Sequence, residues 1–211
     1  MEHEFWHERW KNQELGFHRS DVHPLLQEHM HALAKPGATV FVPLCGKSLD
    51  MQWLREQGYQ VLGIELNASA IAAFFSEHEL QPSIHQEGPL TVYRAPGITI
   101  YQGDFFKLTA AHLHGANAWY DRAAMVALPQ AMRAQYVAHL QQIMPSQAVG
   151  FVVAVEYPKN YWKGPPFALF ADDIAHAYSA RYHIAEQPLV AGFVLGGDPA
   201  VTERGYVLTP S

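Results

Sequence analysis

The stretch Thr39-Val40-Phe41-Val42-Pro43-Leu44-Cys45-Gly46-Lys47-Ser48 decides the fold. Its first four residues form a short apolar, β-branched run, which reads as a buried strand. A tight loop over 43–47 follows, and Ser48 is placed to cap a helix carrying Met51, Trp53 and Leu54. Gly58 is placed to end that helix. Tyr59 to Ile64 reads as a second strand, and Asn67 caps a further helix carrying Ile71, Phe74 and Phe75. Short apolar strands alternating with helices predict a parallel sheet covered on both faces.

Working outward, Asp21 is expected to cap a helix from Val22 to about Ala34, closed by Pro36-Gly37. Before it, Phe5 to Phe17 reads as a short amphipathic helix with Phe5, Trp6 and Trp10 near helical spacing. Gly88-Pro89 and Pro96-Gly97 mark a small hairpin insert between Gln86 and Ile100. Third and fourth core strands are expected at Thr99–Gln102 and Ala116–Tyr120, a helix at about Gln130–Met144, and the plainest strand at Ala148–Val155. A last helix is read at Asp172–Tyr182. Two late strands, about Tyr182–Gln187 and Arg204–Thr209, lie either side of Gly196-Gly197. The expected architecture is an α/β, doubly wound, mostly parallel Rossmann-like sheet with a C-terminal antiparallel hairpin. The whole chain, 1–211, reads as one domain.

Composition narrows the function classes. The chain is 49% hydrophobic and 16% charged, enough apolar material for a core and too little charge for a disordered chain. Fourteen Lys and Arg against twenty Asp and Glu give a net charge of −6, which disfavours nucleic acid as a partner. No run approaches the roughly 20 apolar residues of a membrane helix, and Met1–Trp6 lacks the basic and apolar regions of a signal peptide. The single cysteine, Cys45, forms no internal disulfide, which fits a reducing, cytoplasmic setting. Thirteen histidines raise the question of a metal. However, His29/His31 and His112/His114 are each two apart and accompany no recognised ligand cluster, so no metal is expected.

In a doubly wound sheet, ligands bind at the carboxyl ends of the strands, and four such ends carry notable residues. The loop at Leu44 to Lys47 has one glycine. It therefore matches neither the P-loop nor the three-glycine dinucleotide fingerprint, and an ordinary β–α turn is the alternative. Glu65, nineteen positions after Gly46, is placed to accept from both ribose hydroxyls of a nucleoside, or else it is a solvated carboxylate. Asp104 could accept from an adenine amine with Phe105 packed on the ring, or it could cap the following turn. Asp121-Arg122 is either a structural ion pair or a fork for substrate, and the pattern alone does not decide. Cys45 reads as a small residue shaping the loop rather than a nucleophile. A nucleoside clamp without phosphate-binding glycines favours an adenosine cofactor with a non-phosphate tail, S-adenosylmethionine.

These motifs resemble the thiopurine S-methyltransferase family of class I S-adenosylmethionine-dependent methyltransferases. The resemblance rests on Phe5-Trp6 with Arg9-Trp10, on Gly16-Phe17-His18 and on Val42-Pro43-Leu44-Cys45-Gly46-Lys47. It continues through Gly63-Ile64-Glu65-Leu66, Tyr120-Asp121-Arg122-Ala123-Ala124 and Gly164-Pro165-Pro166-Phe167. It implies that Trp10 and Leu44 line the cofactor pocket, Glu65 holds the ribose, and Asp104 and Phe105 sit by the adenine. Arg122, oriented by Asp121, lies between cofactor and substrate, and Phe17 belongs to a lid formed by residues 1–20. The Gly164-Pro165-Pro166 turn is a candidate wall for the substrate. One departure is that residues 190–202 contain no Lys or Arg, and Arg204 has no clear counterpart.

The implied activity is S-methylation of thiopurines or other small aromatic or heterocyclic thiols, by a monomer acting on a small-molecule partner. Selenium or tellurium oxyanions are further candidate substrates. A halide or thiocyanate methyltransferase and a non-catalytic S-adenosylmethionine-binding protein are the alternatives. A nicotinamide-dependent reductase is disfavoured by the missing glycines.

Overall fold

The computed structural model describes residues 8, 10, 12, 18–113, 115–188 and 198–211. Phe5, Trp6, Phe17, His114 and the Gly196-Gly197 turn lie outside the described residues. Helix α1 spans Pro24–Leu33, α2 Leu49–Glu56, α3 Ala68–Glu77, α4 Gln130–Ile143 and α5 Ala171–Tyr178. The strands are β1 Thr39–Val42, β2 Gln60–Glu65, β3 Ser83–Glu87, β4 Leu90–Ala95, β5 Ile98–Gln102, β6 Ala116–Arg122, β7 Val149–Glu156, β8 Tyr182–Glu186 and β9 Thr202–Pro210.

The strands form one sheet in the order β3-β4-β5-β2-β1-β6-β7-β9-β8. Its centre, β5-β2-β1-β6-β7, is parallel. Antiparallel strands flank it on both sides: the hairpin β3–β4 beside β5, and β9 with β8 beside β7. This is the doubly wound α/β arrangement expected from the alternation of elements. The punctuation at Gly88-Pro89 does mark a hairpin, but its strands extend the main sheet because β4 pairs along the whole of β5.

Period-2 alternation sends side chains to two cores. Phe41, Trp119 and Val152 meet Tyr136 and Leu140 of α4 and Ile174 and Tyr178 of α5. Val40, Val42, Tyr120 and Val153 meet Leu25 and Leu26 of α1, Met51 and Leu54 of α2, and Ile71 and Phe74 of α3. Both faces are thus sealed, which is why the strands read as nearly continuous apolar runs.

Helix starts follow local capping chemistry. Ser48 Oγ accepts from the Asp50 N–H at 3.2 Å, and Asn67 Oδ1 from the Ser69 N–H at 2.9 Å. Asp21 does not cap α1. Its carboxylate pairs with Arg19 at 2.6 Å, and His23 caps instead, with Nδ1 accepting from the Leu25 N–H at 3.3 Å. Pro24 at the first helical position has no N–H to satisfy, so the helix starts there. Helix α5 ends at Tyr178, short of the expected Tyr182, because Tyr182 is buried as the first residue of β8.

Candidate active site

The chain reverses its winding direction at β1, and loops leaving the carboxyl ends of β1, β2, β5 and β6 enclose a cavity of about 350 Å³. That size lies in the usual range for small-molecule sites, roughly 300–1,000 Å³. Four backbone positions on its wall have positive φ: Leu44 at 45°, Gly46 at 53°, Gly103 at 149° and Ala123 at 63°. For Leu44 and Ala123 this costs of order 1–3 kcal/mol each, the kind of strain that concentrates at functional sites.

The first loop is held from below and from behind. The Cys45 N–H donates to the Ile64 carbonyl at 2.9 Å, and the Gly46 N–H donates to Glu65 Oε2 at 2.8 Å. Cys45 turns its thiol into the sheet. A Cβ at Gly63 would stand 2.9 Å from its Sγ, so β2 must carry glycine where the loop packs. Burial pushes the thiol's pKa well up, with the Glu65 charge adding to it. A thiol so buried and so rarely ionised is structural rather than nucleophilic.

Glu65 is 6% exposed and lines the cavity. Oε1 accepts from the Asn67 N–H at 2.7 Å while Oε2 holds Gly46. Burial raises its pKa, and the backbone N–H groups of Asn67, Gly46 and Leu66 offset this only in part. Each oxygen keeps a second lone pair, so the carboxylate can still accept from a ligand's hydroxyls. Asp104 also lines the cavity, with Oδ1 capping the turn over Phe105–Lys107 through the Phe106 N–H at 3.0 Å. Phe105 is buried against Tyr136 and His139 and presents one edge to the cavity. Trp10 and Leu44 line the same space, and Phe17 is outside the described residues.

Arg122 lies in this wall too, but Asp121 does not orient it. Adjacent residues of a strand point to opposite faces. Asp121 faces α4, where it accepts from the Tyr136 hydroxyl at 2.7 Å and the Met125 N–H at 3.0 Å, and burial pushes its pKa up to about 6. Arg122 faces α2, where its Nη1 stands 3.9 Å from Asp50 Oδ2. Asp50 is buried, accepting from the Tyr120 hydroxyl at 3.0 Å and the His23 N–H at 2.8 Å. Among the described residues the carboxylate that faces Arg122 is Asp50, which sequence reading passed over. The only available signal was an acidic residue beside Met51 on the apolar face of α2.

Two further residues of the wall were missed. His18 is held below its usual pKa, mainly by burial and then by the Lys47 charge. Glu203, at the start of β9, is 2% exposed. Trp162, Pro165 and Pro166 line the cavity as well. That loop is tied down by the Phe167 N–H to the Val126 carbonyl at 2.7 Å and by the Tyr157 hydroxyl to the Pro166 carbonyl at 2.9 Å. Arg204 lies elsewhere, bound to Glu156 at 2.7 Å and to Glu186. Among the described residues no three His, Cys, Asp or Glu side chains cluster as metal ligands, and no helix is long and apolar enough to cross a membrane.

The residues present fit an adenosyl sulfonium better than a phosphate-bearing cofactor. Glu65 is a buried acceptor in the cavity wall with lone pairs to spare for hydroxyl donors. The loop has no run of glycine N–H groups, and its one cation, Lys47, is paired with Glu77 at 2.5 Å. Solved folds agree. The chain is similar to a TehB-like SAM-dependent methyltransferase from Corynebacterium glutamicum (TM-score 0.59, 15% identity, covering 99% of this chain and 98% of that one). It is also similar to the Burkholderia thailandensis 1,6-didemethyltoxoflavin-N1-methyltransferase, solved with 1,6-didemethyltoxoflavin and S-adenosylhomocysteine (TM-score 0.64, 11% identity, 99% and 87%). The fold is thus the one shared by class I S-adenosylmethionine-dependent methyltransferases.

Sequence comparison narrows this further. The thiopurine S-methyltransferase family model matches residues 1–193. The curated thiopurine S-methyltransferase of Pseudomonas paraeruginosa is 47% identical over 206 residues, covering 97% of this chain and 94% of its own length. That of Shewanella oneidensis is 43% identical over 205 residues, covering 97% and 93%. The chain belongs to the thiopurine S-methyltransferase family.

Proposed function

We propose that the protein moves the methyl group of S-adenosylmethionine onto the sulfur of a thiopurine or another small aromatic or heterocyclic thiol. In this reading it works as a cytoplasmic monomer, with one domain over 1–211 and residues 1–20 as a lid. The observation that carries it is Arg122 beside buried Asp50 at a cavity that Trp162, Pro165 and Pro166 also line. A planar anionic thiol matches a guanidinium together with flat apolar surface.

When bound, the cofactor supplies an electrophilic methyl on a positively charged sulfur. The substrate thiolate would take that methyl, its new S–C bond replacing the one to the cofactor sulfur, so that both sulfurs would end as neutral thioethers. A heterocyclic thiol is already substantially ionised near neutral pH, so no strong general base is required. The chain's own residues bind, align and exclude water, and such positioning supplies up to about 7–11 kcal/mol. Because the thiolate loses its charge as the bond forms, Arg122 stabilises bound substrate more than the transition state. Its contribution therefore belongs in KM.

The test is a methyl-transfer assay with mercaptopurine, benzenethiol, iodide, thiocyanate, selenite and tellurite in parallel. Turnover of the two thiols above the inorganic ions is expected. Turnover confined to iodide and thiocyanate assigns the halide or thiocyanate activity instead, and turnover led by the oxyanions makes metalloid methylation the main activity. Cofactor binding without any transfer identifies a binding protein.

A further inference from the structure

Glu203 is a carboxylate that methyl transfer as described above does not use. It is 2% exposed, lines the cavity, and comes from β9, 180 positions from its partner His23. Its two oxygens are not equivalent. His23 Nδ1 accepts the Leu25 N–H, so the ring proton sits on Nε2, which donates to Glu203 Oε2 at 3.2 Å. Arg19 Nη1 stands 3.9 Å from the same oxygen. Oε1 accepts from no described residue and is not among the buried polar atoms cut off from solvent. One oxygen is thus clamped, and the other, on a side chain that lines the cavity, has no donor among the described residues.

The clamp also places Glu203 relative to Arg122. The His23 backbone N–H is held by Asp50 Oδ1, whose other oxygen faces Arg122. Acceptor and guanidinium are therefore linked through one buried network and line the same cavity. A carboxylate held this rigidly and left half-satisfied is costly to bury unless something donates to it.

We propose that Glu203 Oε1 is a specificity-determining acceptor for a ring N–H of the substrate, so that the site selects heterocyclic thiols bearing an N–H donor over aryl thiols without one. The inference rests on the thiol-methylation reading and names the substrate class within it. A thiopurine that has lost its thiol proton still carries one imidazole N–H. That leaves an anionic sulfur for Arg122 and a donor for Glu203 on one rigid plane. Inorganic anions offer the sulfur-like charge but no donor.

The experiment compares kcat/KM for mercaptopurine and its 9-methyl derivative, whose anion has no N–H, in the native protein and in Glu203→Gln. The native protein should prefer mercaptopurine by roughly 10- to 100-fold, the worth of one hydrogen bond to a charged group. In Glu203→Gln the amide oxygen can serve His23, which turns its NH₂ toward the cavity and replaces an acceptor with a donor. The preference should then collapse to about onefold, with the 9-methyl compound turned over much as before. Unchanged affinity for S-adenosylmethionine by calorimetry shows that the variant's fold and cofactor site are intact. A preference that persists in Glu203→Gln is steric and overturns the proposal, as does an equal fall for both compounds. The native ratio is itself a test independent of the variant's folding, since a native protein indifferent to the methyl group also overturns it. Turnover of neither compound by the native protein refutes the thiopurine reading as well, and so separates the two failures.

Discussion

Replacing Glu65 by Gln removes one accepting oxygen from a carboxylate that already serves two buried backbone donors. The Gly46 and Asn67 N–H groups approach it at 2.8 and 2.7 Å from two different segments. Gln has one oxygen and an NH₂ group, so one of those N–H groups must face another donor. Leaving a buried donor unsatisfied costs about 1–3 kcal/mol. For a chain of this length each kcal/mol lowers Tm by roughly 2–4 °C, so melting should fall by about 2–12 °C. The effect on the cofactor is separable. If Glu65 holds the ribose, losing one hydrogen bond to a charged group weakens S-adenosylmethionine about 10- to 150-fold. Calorimetric titration well below the variant's Tm measures this. Adenosine and its 2′,3′-dideoxy analogue as competitors should differ on the native protein and become equivalent on the variant. A variant that melts lower yet binds S-adenosylmethionine as tightly as the native protein would show Glu65 to be only a strut between the first loop and β2. It would also remove the sugar from this end of the cavity.

Arg122→Ala should raise the KM for an anionic thiol at least tenfold with a smaller change in kcat, since the guanidinium acts on bound substrate; steady-state kinetics decide, and an unchanged KM takes Arg122 out of the site. Asp50→Asn keeps oxygen for Tyr120 or His23 but removes the charge facing Arg122. It should shift the same KM in the same direction by a smaller factor, whereas Asp121→Asn should leave that KM near native. Gly63→Ala drives a Cβ to 2.9 Å from Cys45 Sγ and should destabilise by roughly 1–3 kcal/mol. Adding Cys45→Ala should restore part of that loss, and strict additivity in urea melts would contradict the contact. Asp121 is pushed up to about 6 by burial, from an ordinary value of about 4. Its contribution to stability is therefore complete below pH 4 and is lost as pH rises through 6. The stability of Asp121→Asn minus that of the native protein should grow between pH 4 and 6 and level off above. A flat difference would show that Asp121 does not titrate there.

The sheet's centre was legible because its physics is local. A strand buried on both faces must be apolar along its length, and β1, β2 and β7 each announce themselves in four to eight consecutive residues. Ser48 and Asn67 were legible as caps for the same reason, since each bonds a backbone N–H two residues on. The cap on α1 was misread because Arg19 competes for Asp21, leaving His23 to do the work. The orientation of Arg122 was misassigned to its chain neighbour. Proximity in sequence looks like contact, yet along a strand it guarantees opposite faces.

What the sequence alone determined, then, is the layered α/β architecture, the glycine-poor loop at 44–47 and the acidic residue after β2. Each is a short-range pattern of burial, capping or spacing. What only the tertiary structure decided is which charges meet. Asp50 faces Arg122 across 72 positions, and His23 clamps Glu203 across 180. Nothing periodic marks such residues in advance. Their ionisable groups are buried together because folding brings α1, α2, β6 and β9 to one end of the sheet, where each buried charge needs a partner that no neighbour in the chain supplies.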